Sequence, residues 1–325
     1  MGEMNECWNV RTDPVTRHNS DLSHVHSMVH PERTSTVSHR QYDEKYTEGR
    51  RNLWNDIVWR QGPERVYDVS SQAVSGFARY GASGEGGSYL EIGSGPYHPL
   101  GVTTIMYLNG LTPSIAFDRS GTNTRRAAEA LYDLLAACAL EPQRWNMTGQ
   151  DPQQFLERIY SFNIPALKQG DLHRGVVQTG LEYIIGDLQA TPLADESISF
   201  ASSRATLEHI ADFRGGMSEM YRILKPGGIS VHSIDLADHR VYRDRNGYNM
   251  WSFLQEDERW SDGLCNRLRA HEIVDIASSV GFTVEVLEVE RGEIPPETFG
   301  KLHSKYAAMG RDKVEITSMV CVFRK

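Results

Sequence analysis

The 325-residue chain is long enough to bury a full core and can hold one large domain or two small ones. With 43 acidic against 34 basic side chains, its formal net charge is −9. That balance argues against a general nucleic-acid binder, which carries a basic surplus.

Residues 1 to 55 read as a polar arm or lid. The opening MGEMNECWNV lacks the basic and apolar regions of a secretory signal. No apolar run reaches the ~18–20 residues of a membrane span. A cytoplasmic protein is therefore expected. The arm carries His18, His24, His26, His30 and His39, but no carboxylate or cysteine is spaced to complete a metal site. Cys7, Cys138, Cys265 and Cys321 show no CxxC or zinc spacing and read as reduced and structural. No resident metal is expected.

Residues 56–325 read as one domain. Pro63 to Tyr80 is predicted helical, because Val66, Val69, Ala73, Val74 and Phe77 recur at three- and four-residue steps. After the loop GASGEGG, strands and helices alternate. Strands are expected at 88–92, 114–117, 182–185, 198–201 and 229–234, and helices at 101–108, 124–139, 152–160, 212–224 and 269–279. Lys225-Pro226-Gly227-Gly228 is expected to break the fourth of these helices as a turn. The last two strands, 283–289 and 315–323, have no convincing helix between them and suit an antiparallel edge. Five strand–helix units followed by such a pair argue for a mostly parallel α/β sandwich. Two stretches, 140–180 and 236–268, are longer than the alternation needs and read as insertions.

In an open α/β sheet, ligands bind at the carboxyl ends of the strands. Those ends hold Glu91 with Gly93-Ser94-Gly95, then Asp118-Arg119, Asp187-Leu188, Ser203-Arg204 followed by Leu207-Glu208-His209, and Asp235 with Asp238-His239. The glycine turn alone does not separate a nucleotide pocket from a structural bend. It reads GSGP rather than the dinucleotide pattern GxGxxG. Asp118 can accept both hydroxyl protons of a ribose, and can equally cap the next helix.

Taken in order and spacing, Glu91-Ile92-Gly93-Ser94-Gly95, Phe117-Asp118, Gly186-Asp187, Pro192 to Ile198, Leu207-Glu208-His209-Ile210 and Ile223 to Gly228 resemble the class I S-adenosylmethionine-dependent methyltransferases. The branch they suggest acts on small molecules and glycans. The resemblance covers about Gly87 to Lys325. It implies a Rossmann-like doubly wound sandwich, with a seven-stranded, mostly parallel sheet whose last strand is antiparallel. It also implies S-adenosylmethionine as cofactor. Gly93, Ser94 and Gly95 would bring backbone to the methionyl part, and Glu91 would orient that loop or the ammonium. Asp118 and Arg119 would lie at the ribose, Asp187 and Leu188 at the adenine, and Ser203 and Arg204 along the methionyl side. Two departures stand out: Pro96-Tyr97-His98-Pro99 after the glycine turn, and a long connection from Arg119 to Leu181, suggesting a helical subdomain or a homo-oligomer contact.

Methylating an oxygen calls for a proton acceptor. His239, oriented by Asp235 or Asp238, is the first candidate, and His209 the second. Trp251 can stack on a sugar or planar substrate, Asn266 and Arg267 can bind its polar groups, and Tyr42 of the arm can close over the site. The expected substrate is a small molecule or glycan intermediate, with O-methylation favoured over methylation of nitrogen, carbon or carboxylate. A nicotinamide-dependent oxidoreductase is the competing reading, disfavoured by the missing GxGxxG.

Overall fold

The structure is a computed structural model that describes residues 62–80, 86–96, 98–242, 244, 246–255 and 265–325. All belong to the compact unit Gln61–Lys325. Tyr42, the arm histidines and Trp260 lie outside the described residues.

Seven strands form one sheet: β1 (Tyr89–Ile92), β2 (Ser114–Asp118), β3 (Leu181–Ile185), β4 (Ile198–Arg204), β5 (Leu224–Asp235), β6 (Thr283–Arg291) and β7 (Ile316–Arg324). Their order is β3-β2-β1-β4-β5-β7-β6. The pairs among β1 to β5 are parallel, and β7 runs antiparallel to both β5 and β6. Buried parallel strands read as continuous apolar runs, and β1 is buried along its whole length, with Glu91 as its one charged residue.

Helix α1 (Gly62–Arg79) buries Val66, Ala73 and Phe77, the face its periodicity predicts. Helix α2 (Gly101–Leu108) is buried at all eight positions. It is covered from both sides, so its sequence shows no polar face. Helix α3 (Thr124–Leu140) is capped by Asn123, whose side chain accepts from Arg126 N. The long connection that follows folds into α4 (Pro142–Trp145), α5 (Pro152–Tyr160), α6 (Ile164–Lys168) and α7 (Leu172–Val176). Asp151, Asn163 and Asp171 cap the last three. Asn109 ties this segment to α2, because its Nδ2 donates to Ile105 O and Trp145 O and its Oδ1 accepts from Thr148 N.

Two sequence expectations change. Helix α8 (Phe213–Ile223) is not closed by a Lys-Pro-Gly-Gly turn, since β5 begins directly at Leu224. The β4–β5 pairing jumps from Ile198↔Leu224 to Phe200↔Ile229, so the tetrapeptide forms a bulge within the strand. Beyond β5, helix α9 (Ala270–Val280) leads into β6. Between β6 and β7 the chain makes three short helices, α10 (Pro296–Phe299), α11 (Ser304–Met309) and α12 (Arg311–Val314). At four to six residues each, they are too short to leave a periodic signal.

These short helices close a satellite core containing Trp251, Phe253, Leu254, Cys265, Ile294, Tyr306 and Val314. Arg269, 0% exposed, anchors it to the sheet. Its Nη1 donates to Leu236 O at 2.7 Å, and its Nη2 to Val314 O at 2.9 Å and to Ile316 O. One guanidinium thus joins the end of β5 to the start of β7. Burial pushes its pKa down to about 10. Arg269→Ala is expected to cost about 3–5 kcal/mol in urea unfolding, because Leu236 O and Ile316 O lose this donor, Val314 O keeps only Trp251 Nε1, and a large buried side chain is removed. Arg269→Lys should recover only part, since a point charge cannot replace the planar fork. A loss below about 1 kcal/mol for the alanine variant would show that the clamp is dispensable.

Candidate active site

Strand order reverses at β1, which lies between β2 and β4. The register Ile92↔Phe117 and Ile92↔Ser203 brings Gly93, Asp118 and Arg204 to one level at the carboxyl ends. Gly93 and Gly95 have φ of +74° and +76°, a region that favours glycine. Gly93 N donates to Phe117 O at 2.8 Å, which folds the turn over the end of β2. A Cβ on Gly93 would meet Thr206 Oγ1 at 2.1 Å, whereas one on Gly95 would meet nothing within 4 Å. Backbone at Gly95 is therefore open to a ligand. Ser94 Oγ, in the same turn, is buried without a hydrogen-bond partner.

Asp118 supports this turn directly. Its Oδ2 accepts from Gly95 N at 2.7 Å, and its Oδ1 from Ser120 N at 2.7 Å. Arg119 beside it is exposed. Gly186 N donates to Asp118 O, so Asp187 stands at the neighbouring strand end, exposed, with Leu188 buried after it. Glu91 is 8% exposed, and its Oε2 accepts from Thr103 N at 3.2 Å and Thr103 Oγ1 at 2.7 Å. Burial raises its pKa to about 7 despite those bonds. This turn fits the amino-acid end of S-adenosylmethionine: open backbone at Gly95, an orphaned Ser94 hydroxyl and the buried Glu91 carboxyl for a cationic ligand.

Ser203 does not join that lining. It is buried, and its Oγ pairs with His232 Nδ1 at 2.8 Å inside the sheet. Arg204 is exposed at the end of β4. Ala205, next in the chain, has φ of +48°, a costly conformation for a residue with a Cβ.

A second group gathers beyond β4 and β5. His239 Nε2 stands 3.3 Å from Asp235 Oδ2 and 3.9 Å from Glu208 Oε1. The rings of His209 and His239 meet edge to face with centroids 4.8 Å apart. Tyr242 Oη donates to Asp235 Oδ2 at 2.7 Å. Asp238 takes no part in orienting His239, because Arg240 holds both of its oxygens. Two carboxyls here are driven apart by their surroundings. Burial, with Asp235 adding repulsion, raises the Glu208 pKa to about 8 despite backbone contacts that act the other way, and no side chain donates to its oxygens. Burial also pushes Asp235 upward, but contacts from His239, Ala237 N and Tyr242 outweigh it and hold Asp235 below the usual carboxylate range.

Three expected substrate contacts are used otherwise. Trp251 is 5% exposed in the satellite core, with its Nε1 donating to Val314 O, so no ring face is left for stacking. Asn266 donates through Nδ2 to Leu207 O and Ile210 O, and its N donates to Glu208 O; it shapes the Leu207–Ile210 segment. Arg267 is 4% exposed, too buried to clamp a phosphate at the surface. Sequence reasoning missed Glu208 and Tyr242 as members of the second group. Glu208 lay within the quoted Leu-Glu-His motif, and Tyr242 follows His239 at helical spacing.

Residues 64–287 match the family model described as a methyltransferase domain. A malonyl-[acyl-carrier protein] O-methyltransferase of Yersinia pestis is 34% identical over 56 residues, 17% of this chain and 21% of that protein. A demethylmenaquinone methyltransferase of Desulfitobacterium hafniense is 29% identical over 110 residues, 34% of this chain and 42% of that protein. The chain thus spans less than half the length of either relative. Among solved structures, an S-adenosylmethionine-dependent methyltransferase from Mesorhizobium loti is 16% identical with a TM-score of 0.41, covering 77% of this chain and 97% of that one. With the family match over 64–287 and a sheet in the order β3-β2-β1-β4-β5-β7-β6, the chain belongs to the class I S-adenosylmethionine-dependent methyltransferases.

Proposed function

We propose that the protein methylates an oxygen of a small molecule or sugar, using S-adenosylmethionine. The observation that favours an oxygen acceptor is the His239–Asp235 pair, 3.3 Å apart, at the end of β5. An alcohol that gains a methyl group must lose its proton, and an imidazole steadied by a carboxylate is suited to take it.

When bound, S-adenosylmethionine supplies a methyl group already activated on a sulfonium. Gly93, Ser94 and Gly95 would hold the methionyl end, Asp118 the ribose hydroxyls, and Asp187 with Leu188 the base. His239 would accept the proton that the acceptor hydroxyl loses. Asp235 orients the ring and stabilises its charged form. Alignment and exclusion of water account for most of the remaining rate. One relative is named as an O-methyltransferase, in keeping with this reading.

Calorimetric titration with S-adenosylmethionine should show Asp118→Ala binding roughly 10- to 150-fold more weakly, the loss of charge-assisted hydrogen bonds. An unchanged affinity would remove Asp118 from the cofactor site. Incubation with methyl-labelled cofactor and a fractionated cell extract, read by mass spectrometry, identifies the acceptor. On that acceptor His239→Ala should lower kcat about 10²- to 10⁴-fold with little change in cofactor affinity. A label found on carbon or nitrogen would overturn the oxygen assignment.

Glu91 links pH to both stability and binding. Its folded pKa of about 7 lies above the unfolded value, so the folded state holds the extra proton. Its contribution to stability is complete below the ordinary carboxylate range and is lost as pH rises through about 7. The ionised form is the one that attracts a cationic ligand. Affinity for S-adenosylmethionine should therefore rise roughly tenfold between about pH 6 and pH 8. Glu91→Gln should flatten that profile and melt at a higher temperature than wild type at about pH 8. A parallel rise with pH in the variant would exclude Glu91 as its source.

A further inference from the structure

His209, His239 and Cys265 come from three separate loops, after β4, after β5 and before α9. One ring nitrogen of each histidine and the cysteine sulfur all lie within 4.8 Å of one another. Ordinary metal–ligand bonds of about 2.0–2.3 Å place neighbouring donors of a tetrahedral site roughly 3.3–3.7 Å apart. The three groups are about 1 Å from that spacing, within reach of small side-chain rotations. Glu208, 2% exposed, stands on the Nε2 edge of the His239 ring, with Oε1 3.9 Å from that nitrogen. Asp235, on His239 Nε2 at 3.3 Å, is placed as the carboxylate partner that commonly steadies a ligating imidazole.

We propose that His209, His239 and Cys265 form a three-residue binding site for a zinc-like divalent transition-metal ion, with the fourth position left to a water or another ligand. Two nitrogens and one sulfur suit a borderline-soft ion and disfavour magnesium or calcium, which take oxygen ligands. The site has a chemical consequence for His239. A neutral imidazole offers one lone pair, so a ring bound to the ion can no longer accept a proton. Metal-loaded and base-competent forms of the protein are therefore alternative states. Ion binding itself does not depend on the protein being a methyltransferase.

The test uses the full chain, stripped with a chelator and titrated with Co²⁺ alone, then with Zn²⁺ in competition. Expected are one ion per chain, the visible bands of a four-coordinate cobalt centre and a thiolate-to-cobalt charge-transfer band. Cys265→Ser should abolish the charge-transfer band and weaken Zn²⁺ by more than about 100-fold, beyond the 10- to 100-fold typical of outer partners. His209→Ala should weaken it comparably; His209 is exposed, so this variant keeps the test valid if Cys265→Ser fails to fold. His173→Ala, an exposed histidine of α7, is the control and should bind as wild type does. Absence of stoichiometric cobalt binding would overturn the proposal. So would binding that survives both Cys265→Ser and His209→Ala, which would place the ion elsewhere, for example on the histidines of residues 1–55.

Discussion

The site depends first on the reversal of strand order at β1. With β2 on one side and β4 on the other, both parallel to it, the chain leaves the neighbouring strands in opposite directions. Their carboxyl ends therefore splay apart above Ile92, and the glycine turn, Asp118 and the loop after β4 face one crevice. Thr206, packed where a Gly93 side chain would stand, ties the two sides of that crevice together. A strand buried on both faces has to be apolar, and β1 is, except for Glu91. That exception sits one strand residue from the turn and holds its proton to about pH 7 because water is excluded around it.

The group beyond β4 and β5 is governed by which carboxyl finds side-chain donors. Asp235 collects contacts from Ala237 N, Tyr242 and His239, which lower its pKa, while Glu208, beside the same ring, has no side-chain donor and burial raises its pKa. Two chemically similar acids are thus shifted in opposite directions around one imidazole. The backbone nearby is also unusual. Ala205 and Arg267, neither of them glycine, both have positive φ, at +48° and +61°. The surroundings enforce this: Ala205 N is held by Ser233 O, and Asn266 is pinned to the Leu207–Ile210 segment through both its side chain and its amide. Strain of this kind concentrates at functional positions.

The sheet was legible in the sequence because buried parallel strands and amphipathic helices leave strong, separate patterns. The places of Glu91, Asp118 and Asp187 at strand ends were legible for a related reason, because strand ends can be read directly, although Ser203, also near a strand end, turns inward to His232. The residues beyond β5 were less so. Trp251, Asn266 and Arg267 have the chemistry of ligand-binding residues, and only their burial and backbone partners show it to be committed to packing and to shaping a loop. Glu208 was in plain view, but isolation from donors is a three-dimensional property. Lys225 to Gly228 carries strong turn residues and yet lies in a strand, because β4 offers a partner on either side of the bulge.

The place of β7 has a consequence for how the protein is made. β5, which carries Asp235 at its tip, is paired on one side by β4 and on the other only by β7, residues 316–324. Roughly eighty residues must leave the ribosome after β5 before that partner exists. Until then the strand presents an open, apolar edge, and β6 has no place in the sheet. Strands β1 to β4 are all synthesised before β5, so their pairings can form earlier, including β1–β4, whose partners Tyr89 and Phe200 are far apart in sequence. The part of the sheet that carries Asp235 is completed late, by a pairing that costs loop-closure entropy and leaves a sticky edge exposed meanwhile.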